Sequence, residues 1–174
     1  SGTSAYWFEE TSGNPGGSSS AFWSANPLFM DSGLSPNRPY SYRVRAQDFA
    51  GNVSTFSTSV PRYTKASVPG FISGARISGQ NLVLDWSSGG NPEQPQGPQL
   101  PTLYEIDFSA SPDFVPLQLT SATLALSATA QSLMENTTYH IRGRAKNQEG
   151  IYTDYVSFGS KVTASGMITL NNIP

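Results

Sequence analysis

The feature that most constrains the fold of this 174-residue chain is an internal repeat with a spacing of 99 residues. The stretch 34–46, LSPNRPYSYRVRA, returns at 133–145 as LMENTTYHIRGRA, with Leu, Asn, Tyr, two Arg and Ala in register. The match extends to Thr64 and Thr163, and Tyr6 pairs with Tyr104 at a spacing of 98. Because self-similarity at a fixed spacing marks repeated structural units, the sequence predicts two copies of one module.

The repeated segment alternates as a half-buried β-strand does. Tyr40, Tyr42, Val44 and Ala46 are two residues apart, so in a strand they share one face, and the polar residues between them occupy the other. Similar short runs, separated by Gly, Pro, Asn and Ser clusters, predict an all-β sandwich. The second copy has Gly143 where Val44 stands, which predicts a bulge or a close approach of another group.

The motif resembles strand F and the following turn of a fibronectin type III domain. The resemblance implies that Tyr40 and Tyr139 are tyrosine corners, whose hydroxyls bond back to the backbone. It also makes 82–86, LVLDW, strand B, with Trp86 as the core tryptophan. The predicted fold class is all-β, with two tandem fibronectin type III-like β-sandwich modules, the first lacking strands A and B within this chain.

The alignment of Tyr6 with Tyr104 places the first module's beginning at strand C. Residues 1–65 are therefore expected to form a partial module, strands C to G, and residues 66–164 a complete one. A short connection over 64–69 joins them. The tail, 165–174, overlays the first strand of the second module at the same spacing, so it resembles the first strand of a further module.

Three arrangements would cover the open first module. The chain could be a stretch of a longer tandem array, or the first module could close on the second. Alternatively, a strand from another copy could complete it. The candidate donor strand is the tail, with Met167, Ile168 and Leu170 as its apolar residues.

Aromatic residues outside the predicted core form the candidate binding surface. Trp7 is out of phase with Tyr6 and Phe8, and Phe22 and Trp23 lie on the next segment. Outward Trp7, Phe22 and Trp23 suit either glycan stacking or burial against a partner. The structural alternative is packing of Trp7 beneath Arg43 and Arg45 of the neighbouring strand.

Composition excludes several classes of function. Ten Lys and Arg against twelve Asp and Glu leave no broad cationic surface for nucleic acid, and no apolar run is long enough to span a membrane. The chain has no cysteine and one histidine, which excludes thiolate catalysis and multi-histidine metal sites. Without a catalytic motif, we expect no catalytic, cofactor-binding or metal-binding residues.

The sequence therefore favours a non-enzymatic extracellular structural or adhesive protein that assembles end to end, by strand complementation or by tandem sandwich packing. The expected partners are other copies of the chain or flanking modules, with glycan as a further candidate. Scarce lysine, absent cysteine and abundant Ser and Thr suit a secreted bacterial protein at the cell surface. The alternative is a spacer or carbohydrate-binding accessory region of a larger secreted enzyme.

Overall fold

The computed structural model describes residues 4–93 and 100–164 of the chain. Every regular element among them is a β-strand. Within these two ranges no helix has the length and apolarity needed to cross a membrane. The strands are β1 Ala5–Glu10, β2 Pro39–Tyr40, β3 Tyr42–Gln47, β4 Arg62–Tyr63, β5 Ile72–Ser78, β6 Asn81–Trp86, β7 Leu103–Ser109, β8 Leu119–Thr123, β9 Ser127–Ala130, β10 Thr138–Lys146 and β11 Val156–Val162.

The second module is a complete two-sheet sandwich. One sheet has the order β5-β6-β9 and the other β11-β10-β7-β8, and every neighbouring pair is antiparallel. In the lettering of this class of sandwich these are sheets A-B-E and G-F-C-C′. The strand order is that of a fibronectin type III-like sandwich, as the sequence predicts.

The core of the second module lies between these sheets and follows the period of two in its strands. In β6, Leu82, Leu84 and Trp86 are buried, and in β10 the buried residues are again every second one. Fully burying a Leu, Ile or Phe side chain contributes about 1.5–3 kcal/mol, so this layer carries most of the stability of the module. The inward residues that share this burial are Tyr104, Ile106, Phe108, Ala128, Ala130, Leu133, Tyr139, Ile141 and Ala145.

Gly143 is required by the packing of that core. A Cβ at this position would lie 2.9 Å from Ile106 Cδ1 and 2.9 Å from Phe158 Cε2. The register between β10 and β11 also shifts between Ile141 and Arg142. The close approach expected at the glycine is therefore present, whereas the extra residue of the bulge is Phe158 on β11, whose ring takes the place of a side chain at Gly143.

The described residues of the first module, 4–65, form two two-stranded antiparallel sheets, β1-β3 and the shorter β2-β4, in which Pro39 pairs with Tyr63. β1 pairs with β3, residues 20–24 run beside β1, and residues 54–57 run beside β3. These segments correspond to C′, C, F and G, and residues 4–65 contain no strand that corresponds to A or B. Residues 28–31, which match β9 at the 99-residue spacing, form no strand. In the second module β9 pairs with β6, which is strand B, so an E strand has no partner in the first module.

Candidate interaction surfaces

The inner face of the β1–β3 sheet is covered by a loop. The Phe29 ring stacks on Phe8, with ring centroids 5.3 Å apart and planes 11° apart, and lies 6.0 Å from the Tyr42 ring. Tyr42 donates a hydrogen bond from its hydroxyl to Asp31 Oδ2 at 2.5 Å, which ties the loop to the sheet. Phe8, Phe29 and Tyr42 all remain half-buried, so an apolar groove stays open beside the loop.

Charge and hydrogen bonding fix this loop. Burial, followed by the hydrogen bond to the Asp31 carboxylate, raises the pKa of Tyr42. Burial alone would raise the pKa of Asp31, but hydrogen bonds from Ser18 and Tyr42 outweigh it and the pKa of Asp31 is lowered. Asp31 is therefore ionised at neutral pH, when it accepts bonds from Ser18 N at 2.7 Å and Ser18 Oγ at 2.6 Å. The neighbouring Met30 is 94% exposed.

The outer face of the same sheet brings together two of the three candidate aromatic residues. Trp7 and Trp23 have ring centroids 6.0 Å apart with planes inclined by 55°. The Arg45 guanidinium carbon lies 5.9 Å from the Trp7 centroid, 5.4 Å from that of Trp23 and 4.7 Å from that of Phe56. Phe22 is separate from this cluster and 72% exposed. Trp7 and Trp23 thus pack with Arg45, and Arg43 lies over Phe56 at 4.2 Å.

The second module repeats this outer layer, with the arginines of strand F bonded to carboxylates as Arg43 is bonded to Glu9 in the first. Arg144 Nε donates to Glu105 at 2.7 Å, and Arg142 Nε donates to the buried carboxylate of Asp107 at 2.9 Å. Tyr155 lies over both guanidinium groups, at 3.9 Å from Arg142 and 4.5 Å from Arg144. Burial, then hydrogen bonding to Asp107 and Glu105, raises the pKa of Tyr155 to about 12. Its hydroxyl is a donor at neutral pH.

The two tyrosines of the repeat occupy equivalent positions. Tyr139 accepts a hydrogen bond from Met134 N at 3.1 Å, and Tyr40 accepts one from Ser35 N at 2.8 Å. Tyr40 also donates from its hydroxyl to the carbonyl of Pro15. Each hydroxyl bonds to the backbone five residues upstream, the geometry of a tyrosine corner. Trp86 is 2% exposed, and its ring lies edge-on to Tyr104 at 5.8 Å.

A third surface, the inter-module joint, is formed by Asn37 and Thr64 of the first module with Thr102, Asn147 and Gln148 of the second. The side chain of Asn37 is fully buried there. Its Nδ2 donates to Thr102 Oγ1 at 2.8 Å, and its Oδ1 accepts from Gln148 N at 3.0 Å. Asn147 Nδ2 donates to the Thr64 carbonyl at 3.2 Å. Both polar ends of the Asn37 amide are therefore satisfied across the joint.

The connection between the modules, residues 64–69, is also fixed by burial and hydrogen bonds. Ala66 and Pro69 are buried, and Asn91 bonds to both backbone groups of Ser67, at 2.8 Å each. The carboxylate of Glu149 accepts from Tyr63 N at 3.1 Å. The connection is thus bonded to the second module at Ser67, whereas Lys65 accepts from Asn37 N of the first module at 3.2 Å.

Sequence reasoning missed the joint and part of the outer layer. Asn37 and Asn136 stand at the 99-residue spacing inside the repeat, so the spacing marked the position without revealing what it contacts. Phe56 and Tyr155 share the same spacing and both lie over the arginines of strand F. The candidate donor residues Met167, Ile168 and Leu170 lie outside the described residues. Among residues 4–93 and 100–164, no group of three or more His, Cys, Asp or Glu is placed to hold a metal ion.

Comparisons with known proteins find similarity over part of the chain. No family model matches the chain. Exoglucanase B from Cellulomonas fimi is 36% identical over 69 residues, which covers 34% of this chain and 6% of that protein. A crystal structure of the FN1–FN3 domains of chicken CNTN1 matches with a TM-score of 0.41 and 17% identity, over 94% of this chain and 56% of that chain. The chain thus spans a small part of the curated relative, and its assignment to the fibronectin type III-like fold rests on strand order.

Proposed function

We propose that the two modules act as a non-catalytic spacer in a larger extracellular protein, holding its neighbouring domains at a fixed distance and orientation. The inter-module joint carries this proposal. Rotation of one module against the other would leave the amide of Asn37 and the hydroxyl of Thr102 without their partners. A buried polar group without a partner costs about 1–3 kcal/mol, which favours one relative orientation.

The outer aromatic cluster supports a spacer over a glycan binder. Sugar rings stack on a flat and accessible aromatic face, whereas Trp7 and Trp23 are inclined to one another and Arg45 packs against both. The partial similarity to Exoglucanase B supports the placement of such a spacer beside a glucan-degrading catalytic domain of a secreted enzyme. Flanking domains of the same protein would then be its partners.

A measurement of the stiffness of the inter-module joint tests the spacer proposal directly. The chain has no cysteine, so Ser32→Cys and Gln131→Cys, at equivalent exposed positions of the two modules, accept one spin label each. A pulsed electron–electron distance measurement should give one narrow distribution. Asn37→Gly should broaden it, because glycine tolerates the positive φ of 47° but lacks the amide. Asn136→Gly, at the exposed equivalent position, is the matched control and should leave it narrow.

A broad distribution in the parent labelled chain would contradict a rigid spacer. The carbohydrate-binding alternative has its own test, a titration with a soluble glucan oligosaccharide followed by tryptophan fluorescence. We expect no saturable change. A saturable change that Trp23→Ala abolishes would instead assign glycan binding to the outer aromatic cluster.

End-to-end assembly is a second candidate function, and the open inner face of the first module favours it. The half-buried side chains of Phe8, Phe29 and Tyr42 leave apolar surface that another strand could cover. Light scattering coupled to size-exclusion chromatography, on the full chain and on a version ending at Ala164, distinguishes the candidates. Large oligomers that form only with residues 165–174 would support assembly, and a monomer in both cases would contradict it.

A further inference from the structure

The second module carries, on its far side, the same turn that docks the first module onto it. Asn37 has a φ of 47° and Asn136 a φ of 48°, both in the left-handed region that asparagine tolerates. Asn37 is fully buried in the inter-module joint, whereas Asn136 is exposed. The difference between them is therefore the presence of a neighbouring module.

The hydrogen bonds that support the two asparagines also coincide. Thr64 Oγ1 accepts from Arg38 N at 3.1 Å and donates to the Ser35 carbonyl at 2.7 Å. At the 99-residue spacing, Thr163 Oγ1 accepts from Thr137 N at 3.0 Å and donates to the Met134 carbonyl at 2.5 Å.

The tyrosine corner completes the turn in each module, with Tyr40 and Tyr139 bonding to the residues that start it. The turn at Asn136 is therefore built in the docking conformation without any partner, so no reorganisation is needed when one binds.

The residues that receive such a turn differ between the modules. The second module offers the Thr102 hydroxyl, the backbone N–H of Gln148 and the side-chain amide of Asn147, which donates to the carbonyl of Thr64, the residue that is hydrogen-bonded to the incoming turn. At the position of Asn147 the first module has Asp48, whose carboxylate has no hydrogen to donate when it is ionised. Asp48 accepts two bonds from Asn52 at 2.8 Å, and these lower its pKa.

We infer that the turn around Asn136 is a docking surface for a further sandwich module of the kind formed by residues 66–164, one with asparagine at the position of Asn147. A second copy docking through its first module is disfavoured, because the carboxylate of Asp48 would face the carbonyl of Thr163 oxygen to oxygen. This inference rests on the proposed function, since it extends the rigid joint from one junction to the next.

A three-module chain tests the inference. Residues 66–174 are joined directly after Ala164, which keeps the spacing of the natural connection because residue 165 matches residue 66 in the repeat. Spin labels at Ser32→Cys and Gln131→Cys report the first joint. Labels at Gln131→Cys and at the same position of the added copy report the second.

We expect a narrow distance distribution at both joints. Asn136→Gly should abolish the narrow peak of the second joint and leave the first unchanged, and Asn37→Gly should do the reverse. Asn147→Asp in the added copy is a second variant, made on the receiving side, and should also abolish the narrow peak of the second joint.

The outcomes separate the two claims. A broad second joint beside a narrow first joint would overturn this inference and leave the spacer proposal standing. A broad first joint would overturn the spacer proposal itself. A second joint that stays narrow in both Asn136→Gly and Asn147→Asp would show that the modules dock through other contacts, and would overturn the role assigned to this turn.

Discussion

Strand C is fully buried on its inner face in the second module and only half-buried in the first, and this contrast shows what burial depends on. In β7 of the second module, Tyr104, Ile106 and Phe108 are each 0% exposed, whereas all six residues of β1, its counterpart, are half-buried. At the inward positions, Tyr6 and Phe8 match Tyr104 and Ile106 and are equally apolar, although Glu10 stands in place of Phe108. The opposing A-B-E sheet therefore decides the burial, and the first module replaces it with one loop centred on Phe29.

Truncation of a core side chain should give the largest difference in stability loss between the two modules. Trp86→Ala removes a fully enclosed ring and is expected to destabilise the second module by about 3–5 kcal/mol. Phe29→Ala removes a half-buried ring from the first and should cost about 1–2 kcal/mol. Hydrogen exchange of the full chain under denaturant resolves the two modules. Equal losses would mean that the loop around Phe29 is as well packed as the complete core.

The glycine in strand F gives the next largest effect. Gly143→Val inserts three carbons against Ile106 and Phe158 and should destabilise the second module by about 1–3 kcal/mol through overpacking. The mirror substitution, Val44→Gly, tests the same position in the open module and should be milder, because no opposing sheet fills that space. Thermal unfolding checks both, and a tolerated Gly143→Val would contradict the close approach.

The tyrosine corners should reverse this order of sensitivity. Tyr139→Phe loses the bond from Met134 N, which is expected to cost about 1 kcal/mol. Tyr40→Phe loses the bond from Ser35 N and also its own donation to Pro15, so the first module should lose about 1–2 kcal/mol. Exchange rates at residues 13–18 report the second bond, and no change there would mean that Pro15 is held independently of Tyr40.

The sequence predicted the elements whose patterns are local and left out those that depend on a partner. The period of two in 40–46 and 82–86 suffices to place strands F and B, and Trp86 in the core. The expected E strand of the first module does not form, since 28–31 lacks the strand B that β9 pairs with. Asn37 could not be identified as a joint residue, because its contacts Thr102 and Gln148 are far away in the chain.

Acid should produce the smallest effect and should act mainly on the first module. In the first module four carboxylates have a lowered pKa, namely Glu9, Glu10, Asp31 and Asp48. In the described part of the second module, the carboxylate with a lowered pKa is Asp113. A group whose pKa is lowered by folding stabilises the fold above its unfolded pKa, and this contribution is lost as pH falls through the folded pKa. The loss should therefore begin near the ordinary values of 4.5 for Glu and 3.8 for Asp and continue below them.

Asp31 is the residue through which acid should loosen the first module, because its carboxylate joins Ser18 and Tyr42 to the loop that covers the sheet. Protonation weakens bonds that depend on its charge, and since the group is near the surface the effect should stay below about 1 kcal/mol. Hydrogen exchange at residues 18–31, corrected for the intrinsic pH dependence, should accelerate on acidification while the β7–β10 core stays protected. Asp31→Asn should remove most of this acid response and lower protection at neutral pH. An equal loss of hydrogen-exchange protection in both modules would contradict the predicted difference between them, because it would mean that the complete sandwich and the open sheet share one source of acid sensitivity.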